Sequence, residues 1–433
     1  MIRCLLILLA FAAPGIAAAA DAPWVLTHAT VIDGTGAPPA ADTTLVIRDG
    51  RLADVYPSGS KPAPEGAKLQ DLRGRFVIPG LIDAHVHLTG AAPNAAAYGP
   101  LLHALLRGGV TTVRDMAGDD RLLQYLAWRA NAWAMPSPDI FYVALLSGPS
   151  FFAEDGRAQA ASAGEPLGFA PWMQAITATT DIPLAIAEAR GTGASGVKLY
   201  ANLPAALVQA LSAEAHRQGL HVWTHATIFP AAPMDAVKAG ADTLSHSAYL
   251  VWQAAPRVPD DYGARAQGDF TRIRPDAPEI VALLDAMHER GTILDATLYP
   301  FERQVAEGKP GMAAGIMPWS YAVTRLARER GVLVDAGSDS AGLPSGADGP
   351  ELGALPAVHA EMALLVAHCG FTPLQAIHAA TQVSAMAAGR DADRGTITAG
   401  KRADLVVLDA NPLHDIHNTG KIAFVVKDGK RVE

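Results

Sequence analysis

The sequence contains only two cysteines in 433 residues, Cys4 and Cys369, so a scaffold of disulfide bridges is excluded. Charged residues make up only 18% of the chain and hydrophobic residues 50%, which excludes an intrinsically disordered protein. Basic residues are outnumbered 34 to 43, and the net charge of -9 argues against nucleic acid or an anionic membrane surface as the main partner. Beyond the N-terminus, no apolar run reaches the roughly 20 residues of a transmembrane helix. What is present is a globular chain of enzyme size.

The N-terminus has the pattern of an export signal. Arg3 supplies a short positive region, Leu5–Ala13 form an apolar core, and Ala18–Ala20 form a small-residue cleavage site. We therefore expect residues 1–20 to be a signal peptide. The mature protein is then periplasmic or secreted, with no membrane attachment after cleavage. The alternative is a retained membrane anchor, against which the shortness of the apolar stretch argues. Cleavage would leave Cys369 as the only thiol.

Short β-strands are predicted at both ends of the mature chain. Residues 21–78 contain β-branched and apolar runs separated by Gly and Pro, and Asp49-Gly50 between two of them is a strong hairpin signal. Residues 391–433 have the same pattern of short apolar runs, with a buried strand predicted at Asp404–Leu408. The two segments are therefore predicted to form one small β-sandwich domain from both chain ends.

The middle of the chain, residues 79–390, alternates short apolar runs with amphipathic helical stretches such as Ala205–Gln218. The candidate strands are Leu81–His87, Thr111–Met116, Ile140–Leu146, Val197–Tyr200, His221–His225, Thr243–His246, Ile293–Leu298 and Val332–Ser338. Eight β/α units predict an α/β fold, a (β/α)8 TIM-like barrel with insertions. The alternative is a doubly wound open sheet, but no G-x-G-x-x-G sequence follows an early strand.

Polar side chains stand at the ends of these strands, where a barrel of this kind has its active site. They are His85, His87, Lys198, His225, His246 and Asp339. Residues i and i+2 of a strand share a face, so His85 and His87 both point into the barrel. Neutral imidazoles with a carboxylate suit zinc or a similar divalent ion, which lowers the pKa of a bound water. A lone His-x-His is weak evidence, and it is the whole set that indicates a metal centre.

Lys198 is unusual in this set, because an unpaired cation inside a barrel is costly to bury. That cost disappears if the amine loses its proton and is carboxylated by CO₂. The resulting carbamate is an anionic ligand with two oxygens that can bridge two metals. The alternative is an ordinary ammonium group paired with a nearby acid such as Asp83.

Three stretches of the sequence resemble the amidohydrolase superfamily. Residues 77–87, VIPGLIDAHVH, resemble its first barrel strand, and residues 395–408 resemble the return strands of its accessory β-sandwich. Residues 109–115, GVTTVRD, resemble the second strand of the branch that holds imidazolonepropionase-like and Xaa-Pro-dipeptidase-like enzymes. The resemblance covers nearly the whole mature chain. The sequence departs from it at residues 245–247, which read Ser-His-Ser where relatives often have Glu-His-Gly.

The resemblance implies a binuclear metal centre in the barrel mouth. His85, His87 and Asp339 would bind the more buried ion, and His225 and His246 the other. The carboxylated lysine and a hydroxide would bridge the two divalent ions, which we expect to be zinc, although such sites also accept manganese or cobalt. Asp339 would be the catalytic acid–base, taking the proton of the hydroxide and passing it to the leaving group.

The implied reaction is hydrolysis of an amide or peptide-like C–N bond in a small-molecule substrate. Deaminases of the superfamily usually carry a glutamate shortly after the strand-5 histidine, whereas His225 is followed by Ala226–Phe229 without an acid. Three alternatives stay open. They are a lactonase or esterase on the same centre, a mononuclear deaminase-like enzyme in which Lys198 is only a charge partner, and a non-catalytic periplasmic binding protein. A homo-oligomer is also compatible with the sequence.

Other residues near the strand ends are candidates for binding substrate. Arg114, Tyr200, Tyr249 and Tyr299 could hold a carboxylate or an oxyanion, although each could equally be structural, and Arg114 could pair with a neighbouring acid. Aromatic residues of the predicted loops either line a pocket for a bulky apolar group or pack the loops onto the barrel. They are Phe151, Phe152, Trp172, Trp252, Phe270 and Trp319. We interpret Asp335 as a hydrogen-bonding group of the core.

Overall fold

A computed structural model describes residues 22–90, 95–133, 135–162, 164–308, 313–346 and 349–433. The predicted signal peptide, residues 1–20, lies outside these described residues. Within the described ranges, no helix combines the length and the apolar character that a membrane crossing requires.

The strands form two large sheets and one small ribbon. In chain order they are β1 (Trp24–Val31), β2 (Ala40–Arg48), β3 (Arg51–Pro57), β4 (Lys68–Asp71), β5 (Phe76–Pro79), β6 (Leu81–Val86), β7 (Val110–Asp115), β8 (Asp139–Ser147), β9 (Phe169–Ala170), β10 (Met173–Ala175), β11 (Gly196–Leu199), β12 (His221–His225), β13 (Thr243–Ser245), β14 (Ile293–Asp295), β15 (Val334–Asp335), β16 (Ser345–Gly346), β17 (Gly349–Pro350), β18 (Leu405–Leu408), β19 (Ile422–Lys427) and β20 (Lys430–Arg431).

Helices connect the strands of the middle segment and surround them. They are α1 (Tyr98–Arg107), α2 (Asp120–Asn131), α3 (Pro149–Glu154), α4 (Arg157–Ser162), α5 (Ile182–Gly191), α6 (Ala205–Arg217), α7 (Pro233–Lys238), α8 (Pro278–Arg290), α9 (Leu298–Ala306), α10 (Ile316–Glu329), α11 (Val358–Cys369), α12 (Pro373–His378) and α13 (Ser384–Ala387). Short 3₁₀ turns include Ser247–Ala254 and Tyr262–Gln267, both in the segment that follows β13.

The first sheet is built from both ends of the chain. Its strands run β20-β19-β18-β5-β1-β2-β3, with β4 paired to β1. The predicted hairpin turn is present, because Asp49 and Gly50 have positive φ values of 51° and 74°. Apolar side chains from both segments share one core, among them Leu26, Leu45 and Val407. The predicted β-sandwich from the two chain ends is therefore confirmed.

The second sheet closes into the predicted barrel. Its parallel strands run β6-β7-β8-β11-β12-β13-β14-β15, and β10 adds to one edge of β8. The last strand meets the first through backbone hydrogen bonds from Ala84 N to Ala336 O at 3.0 Å and from Asp339 N to His85 O at 2.8 Å. The predicted (β/α)8 fold is confirmed, and the carboxyl ends of its strands meet at one mouth.

Strand 7 of the barrel is shorter than its sequence predicts. The run Ile293–Leu298 indicated a strand, but β14 ends at Asp295 and Leu298 begins α9. The chain turns at Thr297, whose φ of 47° lies in the left-handed region. The carboxyl group of Glu361 in α11 accepts the first two backbone N–H groups of α9, at 3.0 and 2.7 Å. A contact from a distant helix therefore ends the strand, and nothing local in the sequence shows it.

A buried group of charges joins the barrel to the sandwich. Asp139, which begins β8, accepts hydrogen bonds from Arg394 Nη1 at 2.8 Å and from Lys427 Nζ at 3.0 Å. Lys427 lies in β19 and is also 3.4 Å from Asp404. The side chains of this group are at most 6% exposed. Because the charges have left water, each of them depends on its partners.

Replacing Asp139 by alanine should destabilise the whole molecule. Arg394 and Lys427 would lose the carboxylate they share, and breaking a buried ion pair costs about 3–5 kcal/mol of the free energy of unfolding. Urea denaturation followed by circular dichroism measures the loss. Asp276→Ala is the matched control, because it removes an exposed pair with Arg274 and should leave the denaturation midpoint unchanged. Equal midpoints for the two variants would contradict the role given to Asp139.

Candidate metal centre

The six predicted ligands stand at the carboxyl ends of five barrel strands. His85 lies in β6, His87 follows it, Lys198 lies in β11, β12 ends at His225, His246 follows β13, and Asp339 follows β15. Ligand atoms of His85, His246 and Asp339 lie within 4.8 Å of one another. Asp339 and His87 are the accessible members, with 22% and 38% of their side chains exposed. The mouth of the barrel therefore brings these side chains together at the edge of solvent.

Asp339 stands between the histidines. Its Oδ1 is 3.2 Å from His87 Nε2 and 3.5 Å from His85 Nε2, and its Oδ2 is 3.7 Å from His246 Nδ1. His225 continues the group, because its ring centroid is 4.3 Å from that of His246. Asp339 and His246 have φ values of 42° and 74°, a left-handed backbone that is strained in non-glycine residues and is concentrated at functional sites.

Burial keeps most imidazoles of the group neutral. It lowers the pKa of His246 to about 3, and it also holds the pKa of His85 and of His225 below the usual histidine range. Neutral imidazoles offer the lone pairs that a divalent metal binds. Burial alone would raise the pKa of Asp339, but His85, His87 and His246 lower it below its usual range. The group thus combines neutral nitrogen donors with one carboxylate.

One nitrogen of the group lacks a partner. His225 Nδ1 is buried, and no atom of the described residues forms a hydrogen bond with it. A buried polar atom without a partner is uncommon in folded proteins. A bound metal would satisfy it, and the surrounding imidazole and carboxylate donors are those of zinc, manganese and cobalt sites. The residues present therefore fit a divalent metal.

Lys198 is fully buried beside the histidines. Its Nζ donates a hydrogen bond to Ser245 Oγ at 2.9 Å, and no carboxylate of the described chain forms an ion pair with it. Burial lowers the pKa of the amine to about 7, an effect that Asp295 opposes and Arg114 reinforces. A neutral amine, the form that reacts with CO₂, is thus accessible near neutral pH. Ser245 supplies the hydroxyl that the lysine contacts.

Asp83, the acid considered as a partner for the lysine, has other contacts. Its Oδ1 accepts backbone N–H groups from Ser338 at 2.9 Å and from His85 at 3.3 Å. Burial raises the pKa of Asp83 to about 7. In the described structure, therefore, Asp83 does not neutralise Lys198 as an ion-pair partner.

Comparison with known proteins gives the family. The amidohydrolase family model matches residues 76–432. The chain belongs to the amidohydrolase family. The imidazolonepropionase of Salmonella typhi is 25% identical over 399 residues, which covers 87% of this chain and 88% of that protein. Among solved structures, a Xaa-Pro dipeptidase is 21% identical with a TM-score of 0.71, covering 95% of this chain and 99% of that one. The ochratoxinase of A. niger is 22% identical with a TM-score of 0.73, and 95% of each chain is covered.

The family assignment confirms the resemblance seen in the sequence. This amidohydrolase is an enzyme that hydrolyses C–N bonds, and its group of His85, His246 and Asp339 could hold a metal ion of the kind that the family uses.

Strand 7 of this amidohydrolase contributes two residues that the sequence reading missed. Asp295 Oδ2 lies 2.6 Å from His85 Nδ1, and Thr297 Oγ1 lies 2.7 Å from His246 Nδ1. Partners of this kind fix the orientation of metal-binding histidines and, where they are carboxylates, raise the basicity of the ring. Asp295 stands at the carboxyl end of a barrel strand, as the predicted ligands do, so strand position could have found it. Thr297 lies in the turn after the strand, where the i, i+2 spacing of a strand does not apply.

Replacing Asp295 by asparagine should weaken metal binding without displacing His85. The amide oxygen can still accept the Nδ1–H of the ring, but the negative charge that makes the ring a better ligand is lost. Changes of this type typically cost 10–100-fold in metal affinity. Competition with a chelator measures the affinity. Asp42→Asn is the control, because it changes another His–Asp contact, with His28 at 2.7 Å in the sandwich. Equal affinities in the two variants would refute the role of Asp295.

Arg114 lies in the barrel interior beneath the histidines. Its guanidinium donates to the backbone oxygens of Ala84 and, at 2.9 Å, of Ala387. It is also 3.5 Å from Asp295, 3.6 Å from Asp335 and stacked 4.9 Å above the ring of Trp223. These contacts serve the core and the strand that carries His85. They agree with the alternative that Arg114 has a structural role and pairs with neighbouring acids. Asp335, one of these acids, is also fully buried.

The tyrosine candidates are divided between two places. Tyr200 and Tyr249 pack against His225, with ring centroids 4.6 and 5.2 Å away. The hydroxyl of Tyr200 also lies 3.0 Å from that of Tyr262, a residue that the sequence reading did not single out. Tyr299 is held in α9, where its described ring contact is with Arg303. The structure thus brings two of the three tyrosines to the metal centre.

All six loop aromatics are buried. Phe270 packs on Trp319 and Trp252 packs on Phe229, so these rings fasten the loops to the barrel. Phe151 differs, because its ring centroid is 4.9 Å from that of Tyr200 beside His225. Of the six, Phe151 therefore has the contact expected of a pocket wall.

Proposed function

We propose that this enzyme hydrolyses an amide or peptide-like C–N bond with two divalent metal ions, which we expect to be zinc. The observation that carries the proposal is the single group formed by His85, His246 and Asp339. It is continued by His225 and by a buried lysine that has no ion-pair partner among the described residues. A carboxylate, neutral imidazoles and a lysine with a pKa near 7 are the components that such a centre needs.

Each of the two ions would have its own set of ligands. His85, His87 and Asp339 would hold one ion, His225 and His246 the other, and Lys198 both. Bound there, the ions supply a water of lowered pKa as nucleophile and a Lewis acid for the scissile carbonyl. Asp339 is accessible enough to accept the proton of the attacking water and to deliver it to the leaving nitrogen.

Lys198 would join the centre as its carbamate. The neutral Nζ attacks the carbon of CO₂, so that an N–C bond forms while one C=O π bond opens onto its oxygen. One nitrogen proton leaves to solvent, and the neutral amine becomes a carbamate anion with two ligand oxygens. Burial, which disfavours the ammonium form, supports this step. The carbamate also resolves the cost of an unpaired buried charge.

Tyr200 and Tyr249 would contact the substrate. Burial raises the pKa of both phenols above their usual range, so they stay protonated and can donate a hydrogen bond. With Phe151, they form an aromatic wall beside His225, which suits a small substrate with an apolar group.

A hydrolysis screen with the zinc-loaded protein tests the proposal. N-acyl amino acids, Xaa-Pro and other dipeptides are compared with lactones and aryl esters, with Asp339→Asn as the control for contaminating hydrolases. We expect the wild type to hydrolyse amide or peptide bonds and the Asp339→Asn variant to lack this activity. Turnover of lactones or esters alone would contradict an amide substrate and would indicate a lactonase or esterase that uses the same centre. Tight binding without turnover of any class would contradict the enzyme reaction.

We also propose that the enzyme is exported. The positive, apolar and small-residue segments of residues 1–20 support it. Expression of the full chain in a Gram-negative host followed by fractionation should yield a periplasmic protein that begins near Asp21. An uncleaved chain in the cytoplasm would contradict export.

A further inference from the structure

The last residue of strand 7 and the four residues after it, residues 295–299, are here called the strand-7 turn. It provides none of the proposed metal ligands but contacts two of them, His85 through Asp295 and His246 through Thr297. Its backbone also supports the second histidine, because His246 N donates to Asp295 O at 2.8 Å. The position of the strand-7 turn therefore sets the orientation of two histidines that come from β6 and from the end of β13.

The strand-7 turn has a backbone that needs outside support. Thr297 is β-branched and has a φ of 47°, a conformation that such residues adopt rarely and only where the surroundings impose it. Immediately after it, α9 begins with backbone N–H groups that have no partner within the helix. Left alone, this segment could relax toward the extended strand that its sequence predicts.

Glu361 supplies the support. It belongs to α11 and is fully buried, and its two oxygens accept the N–H groups of Leu298 at 3.0 Å and Tyr299 at 2.7 Å. Both oxygens are thus used on the strand-7 turn, directly after Thr297. Among the described residues, the hydrogen bonds of Glu361 go to the strand-7 turn, and none goes to His85 or His246.

We propose that Glu361 is a positioning residue of the metal centre, which fixes the strand-7 turn and through it the orientation of His246 and His85. The inference rests on the proposed function, because it concerns the metal ions that those histidines would hold. A purely structural role, in which Glu361 only fastens α11 to α9, would lower stability and leave metal binding as it is.

Glu361→Gln in the full chain separates the two roles. An amide presents an NH₂ group to one of the two N–H donors, so one hydrogen bond is lost while the shape is kept. Three quantities are measured: zinc affinity by chelator competition, the visible absorption bands of the cobalt-substituted protein, and the Tm of the metal-free protein. Asp181→Ala is the matched control, because it removes a carboxylate that caps α5 by accepting Leu184 N at 3.1 Å, away from the centre.

We expect both variants to lower the Tm of the metal-free protein. Only Glu361→Gln should weaken zinc binding, by about 10-fold, the lower end of the range for partners that act behind a metal ligand. It should also shift the cobalt bands, because these report the ligand geometry. A lower Tm with unchanged affinity and unchanged bands would overturn the proposal.

A double-mutant cycle tests the route through Thr297. Thr297→Val removes the hydroxyl that contacts His246 and keeps the shape of the side chain. If Glu361 acts through the turn, the affinity loss of the double variant is clearly smaller than the product of the two single losses. Independent, multiplicative losses would overturn the route. Glu361→Asp, which keeps a carboxyl group but is too short to reach both N–H groups, replaces Glu361→Gln in every comparison if the latter does not fold. A wild-type protein that takes up no cobalt would overturn the proposed function, and this inference with it.

Discussion

Lys198→Ala should remove both the activity and at least one of the bound metal ions. Loss of a partner behind a metal ligand typically costs 10–100-fold, so the loss of a bridging ligand should lower kcat/KM by more than about 100-fold. The reason lies in the surroundings of the lysine. It is fully buried, its one described hydrogen bond goes to Ser245, and it lacks an ion-pair partner among the described residues. An ordinary ammonium group would be poorly placed there, whereas a carbamate would bind the ions.

The space left by Lys198→Ala allows a second readout. A short carboxylate such as acetate or propionate could enter it and supply two oxygens in place of those of the proposed carbamate. We expect such acids to restore part of the activity and of the metal content, and to have no effect on the wild type. Lys421→Ala, which removes an exposed lysine of the sandwich, is the control. Full activity and metal content in Lys198→Ala would instead support a mononuclear enzyme in which the lysine is a charge partner.

Asp339→Asn should lower kcat by about 10²–10⁴-fold, the range by which a positioned acid–base group accelerates a reaction. The amide keeps the size of the side chain but cannot accept the proton of the attacking water. The central position of Asp339, within 3.2 to 3.7 Å of three histidines, implies that metal affinity falls as well. The assay is therefore run at saturating zinc, so that the remaining loss reports the proton transfer.

Asp335→Asn is the matched control for this prediction. Asp335 lies four residues before Asp339 and is fully buried, and burial raises the pKa of its carboxyl well above the usual range. Because burial disfavours the charged form of this carboxyl, an amide of the same size is a conservative replacement. We expect this variant to keep most of the activity. An Asp339→Asn enzyme that works as fast as Asp335→Asn at saturating zinc would refute the acid–base role.

The barrel and most of its centre could be predicted because their signals are local. Each strand is a short apolar run, and a polar residue at its end must lie at the common mouth of parallel strands. His85 and His87 share a face because of strand geometry alone. The same reasoning predicted that His225, His246 and Asp339 lie near one another. The structure brings them together although they are far apart in the sequence.

The parts that escaped prediction depend on contacts between distant segments. The strand-7 turn ends its strand because Glu361 reaches it from α11, a separation of 63 positions from Leu298. Asp295 and Thr297 therefore appeared to be ordinary residues of a longer strand. Arg114 was placed near a strand end, but the acids and the ring of Trp223 that surround it lie on other strands, and they explain its position in the interior.

Metal analysis of the purified protein tests the central claim most directly. The full chain is produced with zinc and bicarbonate, dialysed, and measured by inductively coupled plasma mass spectrometry against protein concentration. The arrangement of the histidines, Asp339 and Lys198 predicts close to two zinc ions per chain, falling to one or none in Lys198→Ala. A wild-type protein without bound metal after this treatment, or with one ion whose binding is unaffected by Lys198→Ala, would contradict the binuclear centre.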